Sequence, residues 1–270
     1  MKVLTPTETQ TYLTLLKRDV FRTTTRWPQF ELLLSDIVEL AKVTGGASRV
    51  ISLERNLLYG GRSLIRPFFQ HCDFVAVDMS PPTNAGRGSY NEGLLNNILS
   101  EFGEDIFECE EASLKPGCSL ADSGLASADV VIIPNLLHHV RSLPEFFVKV
   151  SELLNPEGTG YLFDSTLREW HQVPDDFYRL TPWALEEELR RINCRIREVD
   201  TTGGPFDAIL YCWEQALEYL PAQERSAWKG WLEAEHGPAL RELSERHTMN
   251  LVRMNSVFPT AYSILFEKCV

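Results

Sequence analysis

Apolar residues recur at helical spacing over residues 8–43, where Tyr12, Leu15, Leu16 and Val20 form one stripe and Phe30, Leu33, Leu34, Ile37 and Leu40 a second. "TRWPQF" separates the two, and Pro28 suits the first turn of the second helix. "TGGAS" then breaks the pattern, and short apolar runs begin to alternate with amphipathic stretches. "RVISL" predicts a buried strand, "GRSLIRPFFQ" a helix and "DFVAVD" a second strand. "YNEGLLNNILSEFG" predicts a helix, "IFECEEA" a third strand and "ADVVIIPNLL" a fourth. "SLPEFFVKVSELL" is amphipathic, with Ser142 as its expected N-cap and Pro144 in its first turn. "NPEGTGYLFDS" turns into a fifth strand, "TPWALEEELRRI" opens with a helix-start pair, and "CRIREVD" reads as a sixth strand.

Residues 205–250 interrupt the alternation with a helical stretch containing Trp213, Leu220, Trp228 and Trp231, and "AYSILFEK" returns to strand character. Strands alternating with helices imply βαβ units. The expected fold is α/β, a doubly wound, mainly parallel sheet of seven strands. Its expected organisation is an N-terminal helical cap (1–45), an α/β core (46–204), a helical insertion or lid (205–255) and the last strand of the core (256–270).

Composition narrows the partners. The 270 residues are 44% hydrophobic and 24% charged, with 38 acids against 26 lysines and arginines and a net charge of −12. That balance opposes tracking of a phosphate backbone, so a small-molecule substrate is expected and nucleic acid is not. Cys72, Cys109, Cys118, Cys194, Cys212 and Cys269 are scattered without a CxxC pair or a metal-like spacing, which predicts reduced thiols and no metal. The N-terminus has no long apolar segment and no run reaches a membrane span, so a cytoplasmic monomer or homodimer is expected.

In such sheets ligands bind beyond the carboxyl ends of the strands. The first strand ends at Glu54, with Gly60 and Gly61 following, and the second ends at Asp78, where a carboxylate can accept two ribose hydroxyls. Taken in series, these stretches resemble the class I S-adenosylmethionine-dependent methyltransferases over about residues 48–165. On that family's acid-x-Gly-x-Gly-x-Gly motif, Glu54 falls on the acid and Gly60 on the third glycine, while Asn56 and Leu58 stand at the first two. The resemblance implies S-adenosylmethionine as cofactor. Asp78 would hold its ribose, Met79 would pack against adenine, and Glu111 and Ala112 of "EEASL" would meet the adenine edge. "ADVVIIPNLLHHV" and "LLNPEGTGYLFDS" resemble the family's fourth strand, the helix start after it and the turn into strand five.

The departure at Asn56 and Leu58 implies a loop rebuilt around side chains. Arg62 is then a candidate for the methionine carboxylate, and Asn135 with Leu136, at the end of the fourth strand, for the amino-acid end. His138 and His139 are adjacent, so one of them can face the cleft as general base, and His139 is the candidate. His171 and Tyr178 follow the fifth strand and are candidate substrate contacts. Trp213, Trp228 and Trp231 serve either as the core of the insertion or as an aromatic wall near a sulfonium. Three functions stay open: methyl transfer to a small molecule, attack on the aminocarboxypropyl arm with release of methylthioadenosine (as in azetidine formation), and cofactor binding without catalysis.

Overall fold

The computed structural model describes residues 4–20, 27–45, 47, 49–55, 57–59, 62–79, 95–112, 124–170, 173–249 and 258–269. Seven strands form one sheet: β1 (Arg49–Glu54), β2 (Asp73–Asp78), β3 (Glu110–Ala112), β4 (Ala128–Pro134), β5 (Leu154–Ser165), β6 (Cys194–Thr202) and β7 (Ala261–Lys268). Their order is β3-β2-β1-β4-β5-β7-β6. The first five run parallel, and β7 lies antiparallel between β5 and β6. The expected doubly wound sheet is therefore present. Its order reverses between β1 and β4, which opens a crevice at their carboxyl ends.

Both faces of the central strands are buried, as parallel strands require. Val50, Phe74, Ala76, Val130 and Ile132 pack on one side with Tyr12, Leu33 and Ile37 of the N-terminal helices α1 (Pro6–Leu15) and α2 (Trp27–Val43). Ile51, Leu53, Val75, Val77 and Val131 pack on the other with Phe147, Val150, Leu185 and Leu189. Those four belong to two further helices, and a short one, α3 (Asn96–Phe102), precedes them as α4 (Leu143–Leu153) and α5 (Pro182–Arg191). Thr5 caps α1 through a capping box with Glu8. Ser142 and Thr181 stand at the N-caps of α4 and α5 as expected, yet neither side chain makes the capping bond.

The stretch after β1 differs from expectation. "GRSLIRPFFQ" does not form an α-helix: Leu58–Tyr59 pairs with Arg62–Ser63 in a short antiparallel ribbon, and a four-residue 3₁₀ turn, Arg66–Phe69, follows. Residues 63–70 are all buried, so no polar face exists for an amphipathic helix to present. Ser63 Oγ accepts from the amides of Ile65 (3.1 Å) and Arg66 (3.3 Å), diverting them from a helical ladder, and Pro67 has no amide to give. Tyr12 Oη donates to the Leu64 carbonyl at 2.8 Å and docks α1 on this segment. The helix expected from residue 90 onward is described from Asn96.

After β6 come α6 (Pro205–Leu217), α7 (Ala222–Trp231), a π-helical segment Leu232–His236 and α8 (Gly237–Met249). Trp213, Trp228 and Trp231 pack on one another with ring centroids 5.6–6.1 Å apart, too close for a cation to enter between them. They consolidate the helices. Tyr211 Oη donates to Glu169 and ties α6 to the segment after β5.

Gly160 faces Phe266 across the β5–β7 ladder, and a Cβ there would overlap the phenyl ring. Gly160→Ala should therefore lower stability by about 1–3 kcal/mol, the range for overpacking, as measured by urea unfolding. An unchanged midpoint would show that Phe266 can move aside.

Candidate active site at the carboxyl ends of the strands

Parallel register pairs Glu54 with Asp78 at the ends of β1 and β2. Alternation puts both on the face of Ser52 and Ala76, so the two carboxyls are lateral neighbours. Glu54 is fully buried. Ser63 Oγ donates to its Oε1 at 2.6 Å, and its Oε2 is buried with no hydrogen-bond partner. Burial, reinforced by the charge of Asp78, raises its pKa to about 7, although the Ser63 and Ser52 hydroxyls act the other way. Asp78 is half-buried, and the chain bends after it where the Met79 amide donates to the Glu54 carbonyl at 2.8 Å.

Across the crevice, Asn135 follows β4 with φ 54°, the left-handed region that Asn tolerates better than most residues. Its amide donates to the Phe163 carbonyl at 2.8 Å, and its buried side-chain oxygen has no hydrogen-bond partner. The chain then enters a 3₁₀ turn, Leu137–His139. His138 Nδ1 lies 2.7 Å from Asp164 Oδ1, and the His138 amide donates to Asp164 Oδ2 at 3.0 Å. The Ser165 amide gives Asp164 a further bond at 2.8 Å. A carboxylate so held fixes the imidazole with its proton on Nδ1 and leaves Nε2 as the basic nitrogen. His139 has a different partner: its Nδ1 meets the Asp175 carbonyl at 2.5 Å.

The segment after β5 is bound over this region. The Phe177 amide donates to the His138 carbonyl at 2.7 Å, and Tyr178 Oη donates to the Arg141 carbonyl at 3.1 Å. Arg179 grips Asp176 with two bonds of 2.6 and 2.9 Å and reaches the Glu169 carbonyl at 3.0 Å. Arg55, next to Glu54, is buried with its guanidinium 4.0 Å from Asp175. Burial lowers its pKa, while Asp175, Asp78 and Asp176 oppose that shift.

Among the residues proposed from sequence, the structure brings Glu54, Asp78 and Asn135 to adjoining strand ends. Met79, Ala112 and Tyr178 pack against the hydrophobic cluster that contains Leu136. Arg62 stands apart, since its guanidinium pairs with Glu104 at 2.5 Å. Only the backbone of Glu111 is described, beside Ala76 in β3. Asn56, Gly60, Gly61 and His171 lie outside the described residues. Sequence reasoning missed Asp164 and Arg55. Asp164 carries the signal that revealed Asp78, an acid closing a strand, and Arg55 stands beside the motif acid. Among the described residues no three His, Cys, Asp or Glu side chains could hold a metal, and no helix is long and apolar enough to cross a membrane.

No protein-family model matches the chain, and no curated protein does. Solved structures show likeness at low identity. The O-methyltransferase of a trans-AT PKS multienzyme from Brevibacillus brevis, determined with S-adenosyl-L-homocysteine, is 14% identical, with 92% of this chain and 80% of that chain covered at a TM-score of 0.49. An S-adenosylmethionine-dependent methyltransferase from Archaeoglobus fulgidus is 14% identical, with 95% and 99% covered at a TM-score of 0.46. The strand order β3-β2-β1-β4-β5-β7-β6, with β7 alone reversed, defines the fold. The fold is that of the class I methyltransferases. Within the methyltransferase fold, the residues present fit a ligand with hydrogen-bond donors: a carboxylate at the end of β2 suits paired hydroxyls, and the buried oxygens of Glu54 and Asn135 suit an ammonium.

The Glu54 carboxyl has a definite effect on stability. Its folded pKa of about 7 lies above its ordinary value of 4.5, so its contribution is fully present below pH 4.5 and is lost as pH rises through 7. Relative to Glu54→Gln, the wild-type protein should lose on the order of 3 kcal/mol across that window, from about 1.4 kcal/mol per pKa unit. Urea unfolding at pH 5 and pH 8 checks this, and parallel behaviour of the two proteins would contradict it.

Proposed function

We propose that the protein is an S-adenosylmethionine-dependent transferase that methylates a small-molecule acceptor. The observation that supports this most is the convergence of Asp78, Glu54 and Asn135 at neighbouring strand ends, two of them with a buried oxygen lacking a hydrogen-bond partner. Asp78 would hold the ribose, Met79 and Ala112 would flank the base, and Glu54 and Asn135 would hold the amino-acid end. When bound, the cofactor supplies an electrophilic methyl on a sulfonium. The protein then has to align the acceptor, exclude water and take up the acceptor's proton. His138 is the base in this reading, because Asp164 holds its Nδ1 and would stabilise the imidazolium as Nε2 gains the proton. His139, fastened to Asp175, holds the 175–178 segment in place.

A second reading is favoured by one feature. The ribbon and four-residue 3₁₀ turn stand where a helix N-terminus would otherwise face the methionine carboxylate. An arm held differently exposes its γ-carbon, and attack there releases methylthioadenosine.

Incubation with S-adenosylmethionine, alone and with candidate acceptors, separates the readings by product. S-adenosylhomocysteine with a methylated acceptor supports the first, and methylthioadenosine supports the second. Calorimetry with S-adenosylhomocysteine should show Asp78→Ala binding about 1.5–3 kcal/mol more weakly, the range for bonds to a charged group. Unchanged affinity would remove the ribose assignment. His138→Gln and Asp164→Asn should each lower turnover roughly 10²–10⁴-fold with little change in cofactor affinity, as loss of a general base does. Full turnover in both variants would remove the base.

A further inference from the structure

The transfer chemistry gives Glu54 no proton to move, yet its setting is that of a group built to exchange one. It ends β1 fully buried, beside Asp78 on the same face of the sheet. Ser63 occupies one oxygen, and the other has no hydrogen-bond partner. Two ionised carboxylates side by side in a buried crevice repel, and the more buried of them keeps its proton more readily. The groups around it are accounted for element by element. Ser52 shares β1, Asp78 comes from β2, Ser63 from the ribbon, and the Cys109 thiol from the segment ahead of β3. The one acid of β4, Asp129, lies at the opposite end of the sheet, where it accepts from the Arg49 amide at 3.2 Å. Arg55 directs its guanidinium toward Asp175, with Asp78 and Asp176 also in its field.

We propose that Glu54 exchanges its proton for the primary ammonium of the cofactor's amino-acid end. On binding, the Glu54 O–H bond breaks, the proton passes to solvent, and the carboxylate pairs with the ammonium through the oxygen that Ser63 leaves open. Beside Glu54, the positive charge of the ammonium takes the place of the departing proton. This rests on the cofactor reading above.

Proton linkage gives the test. With Glu54 titrating near 7, binding of S-adenosylhomocysteine should release about 0.9 proton at pH 6 and about 0.2 at pH 7.5. The apparent affinity should rise close to tenfold per pH unit below 7 and flatten above it. Calorimetry of the wild-type protein in two buffers of different ionisation enthalpy counts the protons directly, without any variant. Glu54→Gln, which keeps the shape, should bind with no proton released and no pH dependence between pH 5.5 and 7.5. Binding by the wild type without proton release overturns this proposal alone, and so does release that persists in Glu54→Gln. Absence of binding at every pH overturns the cofactor reading and this proposal with it. In that event, a ¹³C titration of Glu54 still shows whether the carboxyl holds its proton near neutrality.

Discussion

The hydrogen bond from Ser63 to Glu54 organises the carboxyl end of the sheet. Glu54 cannot leave the crevice, because parallel pairing with Asp78 and burial on both faces fix β1 in register. Its carboxyl therefore needs a donor inside the protein, and Ser63 supplies one at 2.6 Å. To do so the chain must return within nine residues, which a ribbon permits and a helix does not. The same hydroxyl accepts from the Ile65 and Arg66 amides, so the turn and the buried acid are stabilised by one side chain. Ser63 also donates its amide to the Phe107 carbonyl at 3.1 Å, which brings the segment ahead of β3 against the turn.

Much of the sheet was legible because its strands are short apolar runs bounded by acids, prolines and asparagines. Asp78 and Asn135 were proposed because each stands at the end of a strand within a series of stretches that resembles the family's motifs. The helix expected over "GRSLIRPFFQ" is absent because eight consecutive residues from Ser63 are buried. Periodicity reports a helix only when one side meets water. A segment enclosed by α1, β1 and the strand beside it carries no such signal. The roles of the two histidines were illegible for another reason. The two rings lie against each other with centroids 4.0 Å apart, yet their partners, Asp164 and the Asp175 carbonyl, come from β5 and the loop after it.

Those partners make the crevice a joint construction of distant segments. Asp164 leaves β5 next to Ser165, whose hydroxyl donates to Gln29 at 3.2 Å near the start of α2. Gln29 in turn donates to the Thr260 carbonyl at 3.3 Å, just ahead of β7. The carboxylate that orients His138 is thus braced by a chain that runs to the N-terminal helices. Elements outside the parallel core bear on the geometry of the proposed base without touching it.

In the proposed reading, a ribbon and a 3₁₀ turn after β1 change the physics of ligand capture. A helix N-terminus offers about half a positive charge spread over several amides, and the charge is part of the fold. A four-residue 3₁₀ turn offers little of this. Arg55 instead brings a whole charge into the crevice, buried and opposed by Asp175, Asp78 and Asp176. Side-chain charges of this kind are stronger at contact than a dipole, but each must be balanced by another. Glu54 beside Asp78, and Arg55 beside Asp175, are the two sides of that balance. In the proposed reading a ligand's ammonium would answer the Glu54 side, while the Arg55 side is already met by Asp175.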